Sequence, residues 1–281
     1  MLSTSDVTKL YFKKNFIIFF PVALILSIVA IVLCLTVFNG KNLIAFILLS
    51  VVLIALSFAV PMILAKADEK KGKLSAEIFR SEGFTKSFCE SYRQAYIDSC
   101  KNPFPAHIIL CASYYGKAGE HNSANMLLNR LDIKKLSGEC KFVYCLEKLM
   151  ACGKTGDWSE GEDIRNDNIK FIQNYMQGKK SPEYKVQMYI SLALIDCAYK
   201  HYADAFGLLN FGYKPSGKND TNFLHILITA IYIYAKMGDS NNIDTAVKNA
   251  QIFLSKFNEF EYPWCKSYYE NLIINASNGK L

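Results

Sequence analysis

The sequence predicts an all-α protein in which a transmembrane helical hairpin near the N-terminus carries a stack of helix-turn-helix pairs. Three observations predict it. Two uncharged apolar runs lie close together before residue 66. Beyond them apolar residues recur at helical spacing, and nothing alternates as a strand would. A short turn then returns at a nearly constant interval, the signature of stacked units.

Phe16 to Phe38 runs 23 residues without a charged side chain, and Leu43 to Ala65 runs another 23 after the interruption Asn39-Gly40-Lys41-Asn42. At ~1.5 Å per residue each run spans roughly 34 Å, enough to cross a ~30 Å hydrocarbon core with modest tilt. Lipid offers the backbone no hydrogen-bond partners, so both runs are expected as helices, joined into an antiparallel pair. Pro21 falls in the first turns of the first helix, where a missing N–H costs least, and Pro61 is expected in the last turn of the second. The first run is too long for a signal-peptide core and a second follows at once. Leu33 before Cys34 is too large for a lipoprotein cleavage site.

Flanking charge sets the expected orientation. Lys9, Lys13 and Lys14 precede the first run, Lys66, Lys70, Lys71 and Lys73 follow the second, and only Lys41 lies between them. Both termini are therefore expected in the cytoplasm, in a two-span cell-membrane protein. Neither run carries a charged residue, so nothing marks an ion path, and no small-xxx-small motif predicts helix association. The expected organisation is a cytoplasmic segment 1–15, spans at 16–38 and 43–65, and a juxtamembrane linker with capping helices at 66–105. Helical repeats follow at 106–258, and a C-terminal capping helix at 259–281.

Of 32 Lys/Arg four lie before residue 66, and of 25 Asp/Glu one, so the remainder carries 28 against 24. That mixed surface lacks the clustered basic residues of a nucleic-acid binder, and no nucleic-acid partner is expected. The nine cysteines are irregularly spaced and several sit in apolar context, as Cys111 does in Ile108-Ile109-Leu110-Cys111-Ala112. They read as small core residues in a reducing compartment. Cys140, Cys145 and Cys152 lack the paired spacing and the nearby histidine of a zinc site, so no metal is expected. The abundance of Lys, Ile, Asn and Tyr is that of a low-GC bacterium.

The helices expected in the remainder are 75–100 (broken at Gly83), 106–117, 121–134, 139–153, 158–177, 183–199, 202–212, 221–236, 241–257 and 262–276. Pro103, Pro105, Pro182, Pro215 and Pro263 fall between them. Taking Gly119, Gly156, Lys200 and Gly238 as equivalent points, the spacings are 37, 44 and 38 residues. Each glycine suits a left-handed helix end, and Asp157 or Asp239 suits the cap of the helix that follows.

These turns resemble the tetratricopeptide repeat. Gly156-Asp157-Trp158 matches its turn, with Gly161 at the small site of the second helix. His201-Tyr202-Ala203 matches with Ala205 small and Leu209 one turn later, and Gly119-Glu120-His121 matches with Ala124 and Leu128. In the fourth unit Ala246 stands three residues late, so an extended turn is expected after Gly238-Asp239. Ala112 and Ala193 take the small site of the first helices, where Leu149 and Ile231 are large. The resemblance covers about 106–258 and implies a tetratricopeptide-like α-solenoid binding a protein partner along a concave face. Tyr115, Asn129 and Tyr232 are the residues placed near such a groove, and no partner-binding residue is assigned.

No catalytic residue, cofactor-binding residue or metal ligand emerges, and no small-molecule ligand is expected. Gly153-Lys154-Thr155 looks like the end of a phosphate loop, but position 148 is Lys148 and not Gly, and a helix precedes it. His107, His121, His201 and His225 are scattered, and His121 and His201 read as equivalent turn residues. Glu160, Glu162, Asp163 and Asp167 meet a helix N-terminus, where acidic groups are favoured. Tyr92, Tyr96, Tyr114, Tyr189, Tyr199 and Tyr234 read as core aromatics. The expected function is a non-enzymatic, membrane-anchored scaffold that localises or assembles a protein partner. The alternative is an integral subunit of a transport or secretion complex, with the hairpin making specific contacts.

Overall fold

A computed structural model describes residues 4–36, 43–178, 182–217, 219–257 and 259–281, with the side chains of 182 and 183 excepted. The expected Asn39–Asn42 connection and the boundary residue 258 lie outside them. All regular structure among the described residues is helical. The chain divides into a hairpin unit ending at Leu74 and a helical unit from Ser75 to Leu281.

In the hairpin unit α1 (Thr4–Thr36) and α2 (Leu43–Lys71) lie side by side. Both are long and apolar enough to cross a membrane. They also run further than their apolar cores. Helix α1 starts twelve residues before Phe16, aided by an Asp6–Lys9 ion pair of 3.6 Å one turn apart. Helix α2 continues to Lys71, so Pro61 lies inside it and not in its last turn. The seam is made of small residues: Ala23, Ser27 and Cys34 on α1, and Ser50, Ser57, Pro61 and Ala65 on α2, are buried. Their spacings of four and seven set one stripe of each helix against the other. Ala23 and Ser27, four apart, let the backbones approach, a pairing the sequence reading overlooked. Ser27 Oγ donates to Ala23 O (2.8 Å) and Ser50 Oγ to Phe46 O (2.9 Å), leaving no bare hydroxyl in the seam. Ile44, Leu48, Ile25 and Ile63 point outward at 60–76% exposure, a surface that lipid would cover and water would not.

In the helical unit α3 (Lys73–Glu82), which begins at the boundary, is followed by α4 (Lys86–Arg93), which runs into a π-turn at Gln94–Asp98. The expected break at Gly83 is present: its φ is +75°, and Thr85 caps α4 by accepting from Phe88 N (3.3 Å). Then come α5 (Pro105–Lys117), α6 (His121–Leu128), α7 (Gly138–Thr155), α8 (Trp158–Gln177), α9 (Pro182–Ala198), α10 (Tyr202–Leu209), α11 (Thr221–Met237), α12 (Ser240–Ser255) and α13 (Cys265–Ser277). Helix α6 is six residues shorter than its expected 134 end, because Asp132 accepts from Lys134 N (3.0 Å) and starts a 3-10 turn at Ile133–Lys135.

Each of α5, α7, α9 and α11 packs on the helix that follows it, and the odd-numbered helices from α5 to α13 also lie against one another in order. The four joints are alike. Gly119, Gly156, Lys200 and Gly238 have φ of +80°, +82°, +62° and +73°, and Lys200 is the one described non-glycine residue with positive φ. The next residues, Glu120, Asp157, His201 and Asp239, have φ between −82° and −89° and ψ between 57° and 80°. Each accepts at its carbonyl from the N–H four residues on: Ala124, Gly161, Ala205 and Ile243. The fourth turn is therefore not extended. Ile243 takes the site held elsewhere by Ala or Gly, and the buried small residue of α12 is Ala250. At Gly161 a Cβ would lie 2.6 Å from Ile195 Cδ1 and 3.2 Å from Cys152 Cβ, so α7, α8 and α9 close only over a bare backbone.

Candidate functional site

One face of each of α5, α7, α9, α11 and α13 points to a common interior. On α7 this face holds Glu147, Met150 and Lys154; on α9 it holds Gln187, Ile190 and Leu194. Ser113 and Lys117 on α5, His225, Ile228 and Thr229 on α11, and Tyr268, Asn271, Leu272 and Asn275 on α13 complete it. These residues recur at i, i+3, i+4 and i+7, the spacing of a single helical face. Together they line a cavity of about 270 Å³.

The cavity lies where the two ends of the helical unit meet. Trp264, just before α13, donates its indole N–H to Phe79 O at 3.0 Å. Its ring lies 5.2 Å from that of Phe79 and 5.4 Å from that of Phe84, in edge-to-face arrangements. Gly83 makes this possible, since a Cβ there would come within 2.4 Å of the indole. Phe84 also approaches Tyr268 (5.7 Å) and Tyr114 (6.0 Å). At the other rim His121 Nε2 is 2.8 Å from the Leu281 backbone oxygen. Among the described residues the inner faces of α5, α7, α9, α11 and α13 line a partly open cavity.

The walls are mainly apolar and the polar groups on them are desolvated. Glu147 is 7% exposed, and burial raises its carboxyl pKa against the opposing pull of Ser113, Lys117 and Lys154. Its Oε1 has no hydrogen-bond partner. Burial brings the Lys154 amine down to about 8, partly offset by Glu147. His225 is brought down to about 4 by burial, then by Lys117 and Lys154. His121 also falls to about 4, through burial and Lys154, against the bond to Leu281; its Nδ1 is unpartnered. Two neutral imidazoles, one strained carboxyl and two lysines thus share one chamber.

The residues singled out from sequence mostly lie elsewhere. Tyr115 is buried beside Arg93, and Tyr232 packs in the α9–α11 core with Lys236 Nζ 5.2 Å above its ring. Asn129 accepts, with Asn125, from the fully buried Lys148, which also pairs with Glu160 at 2.7 Å. Glu160 is thus held by Lys148 as well as by the helix start; burial raises its pKa, but the Lys148 bond and charge bring it below the carboxylate norm. Asp163 and Asp167 are exposed. Cys145 and Cys152 are fully buried and pushed to about 12, whereas Cys140 is half-buried. Among the described residues no three His, Cys, Asp or Glu gather as a metal site. Tyr92 and Tyr96 enclose His107, with a 2.8 Å bond to its Nδ1 and a 4.1 Å ring stack respectively.

Two corrections concern residues near the chamber. His121 and His201 are not equivalent: His201 is the exposed N-cap of α10, matching Glu120, and His121 follows one position later on the chamber rim. Lys154, set aside with its phosphate-loop look-alike, lies in the last turn of α7 and lines the cavity. A signal for the chamber does exist in the sequence. Glu147 and Thr229 both stand nine residues before their left-handed turn residue, and Gln187 and His225 both stand thirteen before theirs. Lys117 and Lys154 each stand two before. Polar residues at fixed offsets on an otherwise apolar inner face mark a shared lining.

Compared with protein-family models, curated proteins and solved structures, the chain matches none of them.

Proposed function

We propose that this chain is a membrane-anchored, tetratricopeptide-like repeat protein whose array binds a protein partner and localises or assembles it at the membrane. In this reading α1 and α2 span the bilayer with both termini cytoplasmic. The pairs α5–α6, α7–α8, α9–α10 and α11–α12 are successive repeats, and α13 is the C-terminal capping helix. The recurrence of one left-handed joint, with the same flanking dihedrals at four places, is the observation that carries the reading. The side-by-side order of the odd-numbered helices supports it, since each helix pair then buries its apolar face on its neighbours. The outward-facing apolar surface of the hairpin supports the anchor.

The step to partner binding is an argument from architecture, because function resides in sites that folds carry. Met126, Trp158, Tyr199 and Met237, exposed large apolar side chains at or near the joints, offer contact area for such docking. The test is proximity crosslinking in native cells with mass spectrometry, comparing the natural chain with one whose hairpin is scrambled at equal hydrophobicity. The expected result is the same one or two proteins crosslinked to residues 106–258 in both. Partners that depend on the natural hairpin sequence overturn the scaffold role in favour of a membrane-complex subunit.

A further inference from the structure

The described lysines of the hairpin unit gather at one end of it. Lys9, Lys13 and Lys14 lie near the start of α1, Lys66, Lys70 and Lys71 near the end of α2, and Lys73 just beyond. We infer that this end of the hairpin binds anionic phospholipid through its headgroup phosphate. The inference rests on reading α1 and α2 as a bilayer anchor.

Charge is the first support. All seven of these lysines are exposed, against three acids on the same unit, Asp6, Asp68 and Glu69. Asp68 is buried 3.2 Å from Lys71, and the half-buried Asp6 lies 3.6 Å from Lys9. Glu69 alone of the three is exposed. No other charged residue occurs among the described residues of the hairpin unit. The surface at this end is therefore basic, and a cluster of lysines beside a membrane span attracts anionic headgroups.

The register of the two helices is the second support. The Phe58 ring of α2 rests against Phe16 and Phe20 of α1, at 4.9 and 5.9 Å between centroids. Beyond Phe58 the apolar run of α2 continues seven residues to Ala65, which is about 10 Å along the axis. Lys13 and Lys14 stand two and three residues before Phe16, so they fall at the level where α2 is still apolar. There Met62, Ile63 and Leu64 are exposed. Exposed ammonium groups and exposed apolar side chains thus share one band of surface.

That mixture selects the occupant. A free phosphate or an acidic protein surface answers the lysines but leaves Met62, Ile63 and Leu64 facing water. A phospholipid carries an anion and apolar chains in one molecule. A lysine beside it lays its carbon stem along the acyl chains and raises its ammonium to the phosphate. A zwitterionic lipid offers the same phosphate already countered by its own choline, so the preference falls on lipids with net negative charge. The band is continuous with the outward-facing apolar surface of the hairpin that lipid would cover.

The experiment uses the full chain reconstituted in vesicles of equal parts phosphatidylglycerol and phosphatidylcholine. Flotation with the vesicles is read first. Electron spin resonance then gives the fraction of spin-labelled phosphatidylglycerol, and separately of spin-labelled phosphatidylcholine, held at the protein surface. The expected result is association of phosphatidylglycerol at least about three-fold stronger, with the preference shrinking as salt is raised. The combined Lys13→Gln, Lys14→Gln, Lys66→Gln and Lys70→Gln variant is expected to bring the ratio to about one, and arginine at the same four positions to preserve it. A chain that does not float with the vesicles overturns the anchor reading and this inference together. A chain that floats without preferring phosphatidylglycerol overturns this inference alone, whether or not the variants insert. So does full preference in the glutamine variant, or a preference that glycerol phosphate in solution removes at matched ionic strength.

Discussion

Lys200 holds a backbone conformation that its three counterparts give to glycine. A side chain at positive φ costs roughly 1–2 kcal/mol through the contact of Cβ with the following carbonyl. Replacing it with glycine removes that cost and adds some unfolded-state entropy, which opposes it. Lys200→Gly is therefore expected to stabilise the helical unit by about 0.5–1 kcal/mol, read as an increase in the urea midpoint at unchanged slope. The chamber histidines give a second prediction. Both have folded pKa values near 4 against an ordinary 6.5, so the unfolded chain takes up protons first as pH falls. Their contribution is complete above about 6.5 and is lost as pH drops toward 4. Between pH 7 and 5 each is expected to cost about 2 kcal/mol, and His121→Gln with His225→Gln to flatten the Tm-against-pH curve over that window.

Elements meet through small residues at two levels. At Gly161 the α7–α8–α9 junction has no room for branching, since the first added carbon already presses on Ile195 and Cys152. Gly161→Val is expected to destabilise by about 1–3 kcal/mol, the usual cost of overpacking, and Gly161→Ala by less because Ile195 Cδ1 is the mobile end of its side chain. At Leu149, fully buried on α7, the opposite error applies: Leu149→Ala is expected to cost about 2–5 kcal/mol in chemical denaturation through a cavity. Helix boundaries were legible in sequence where a glycine, a proline or a cap marked them, as with the expected 158–177 and the observed Trp158–Gln177. They were misjudged where a local side-chain bond decided, as at Asp132 after α6. The extended fourth turn failed for a similar reason. A small residue was sought at a fixed offset, whereas the position tolerates the half-buried Ile243 once the backbone joint is formed.

For the molecule as a whole, the decisive contact is the meeting of Trp264 with Phe79 and Gly83. Trp264→Ala removes one hydrogen bond and the edge-to-face contacts of several rings, so a loss of about 3–5 kcal/mol is expected. Opening of the chamber should accompany it, and hydrogen exchange is expected to quicken in α3, α4 and α13 before α7 and α9. Uniform exchange across all of them would mean that the closure does not behave as a separate unit.

The sequence alone determined the helical class, the two apolar spans and the four joints, because each rests on local causes. Uncharged length, 3.6-residue periodicity and a residue suited to positive φ are written within a few positions of one another. The inward-facing polar residues were equally present in the sequence, at matching offsets from the joints, but their offsets have meaning only once the odd-numbered helices stand side by side. What the tertiary structure alone decided is which distant residues meet. Packing contacts among side chains far apart in sequence bring residue 264 to residue 79 and turn Glu147, Lys154 and His225 from scattered helix residues into the lining of one cavity.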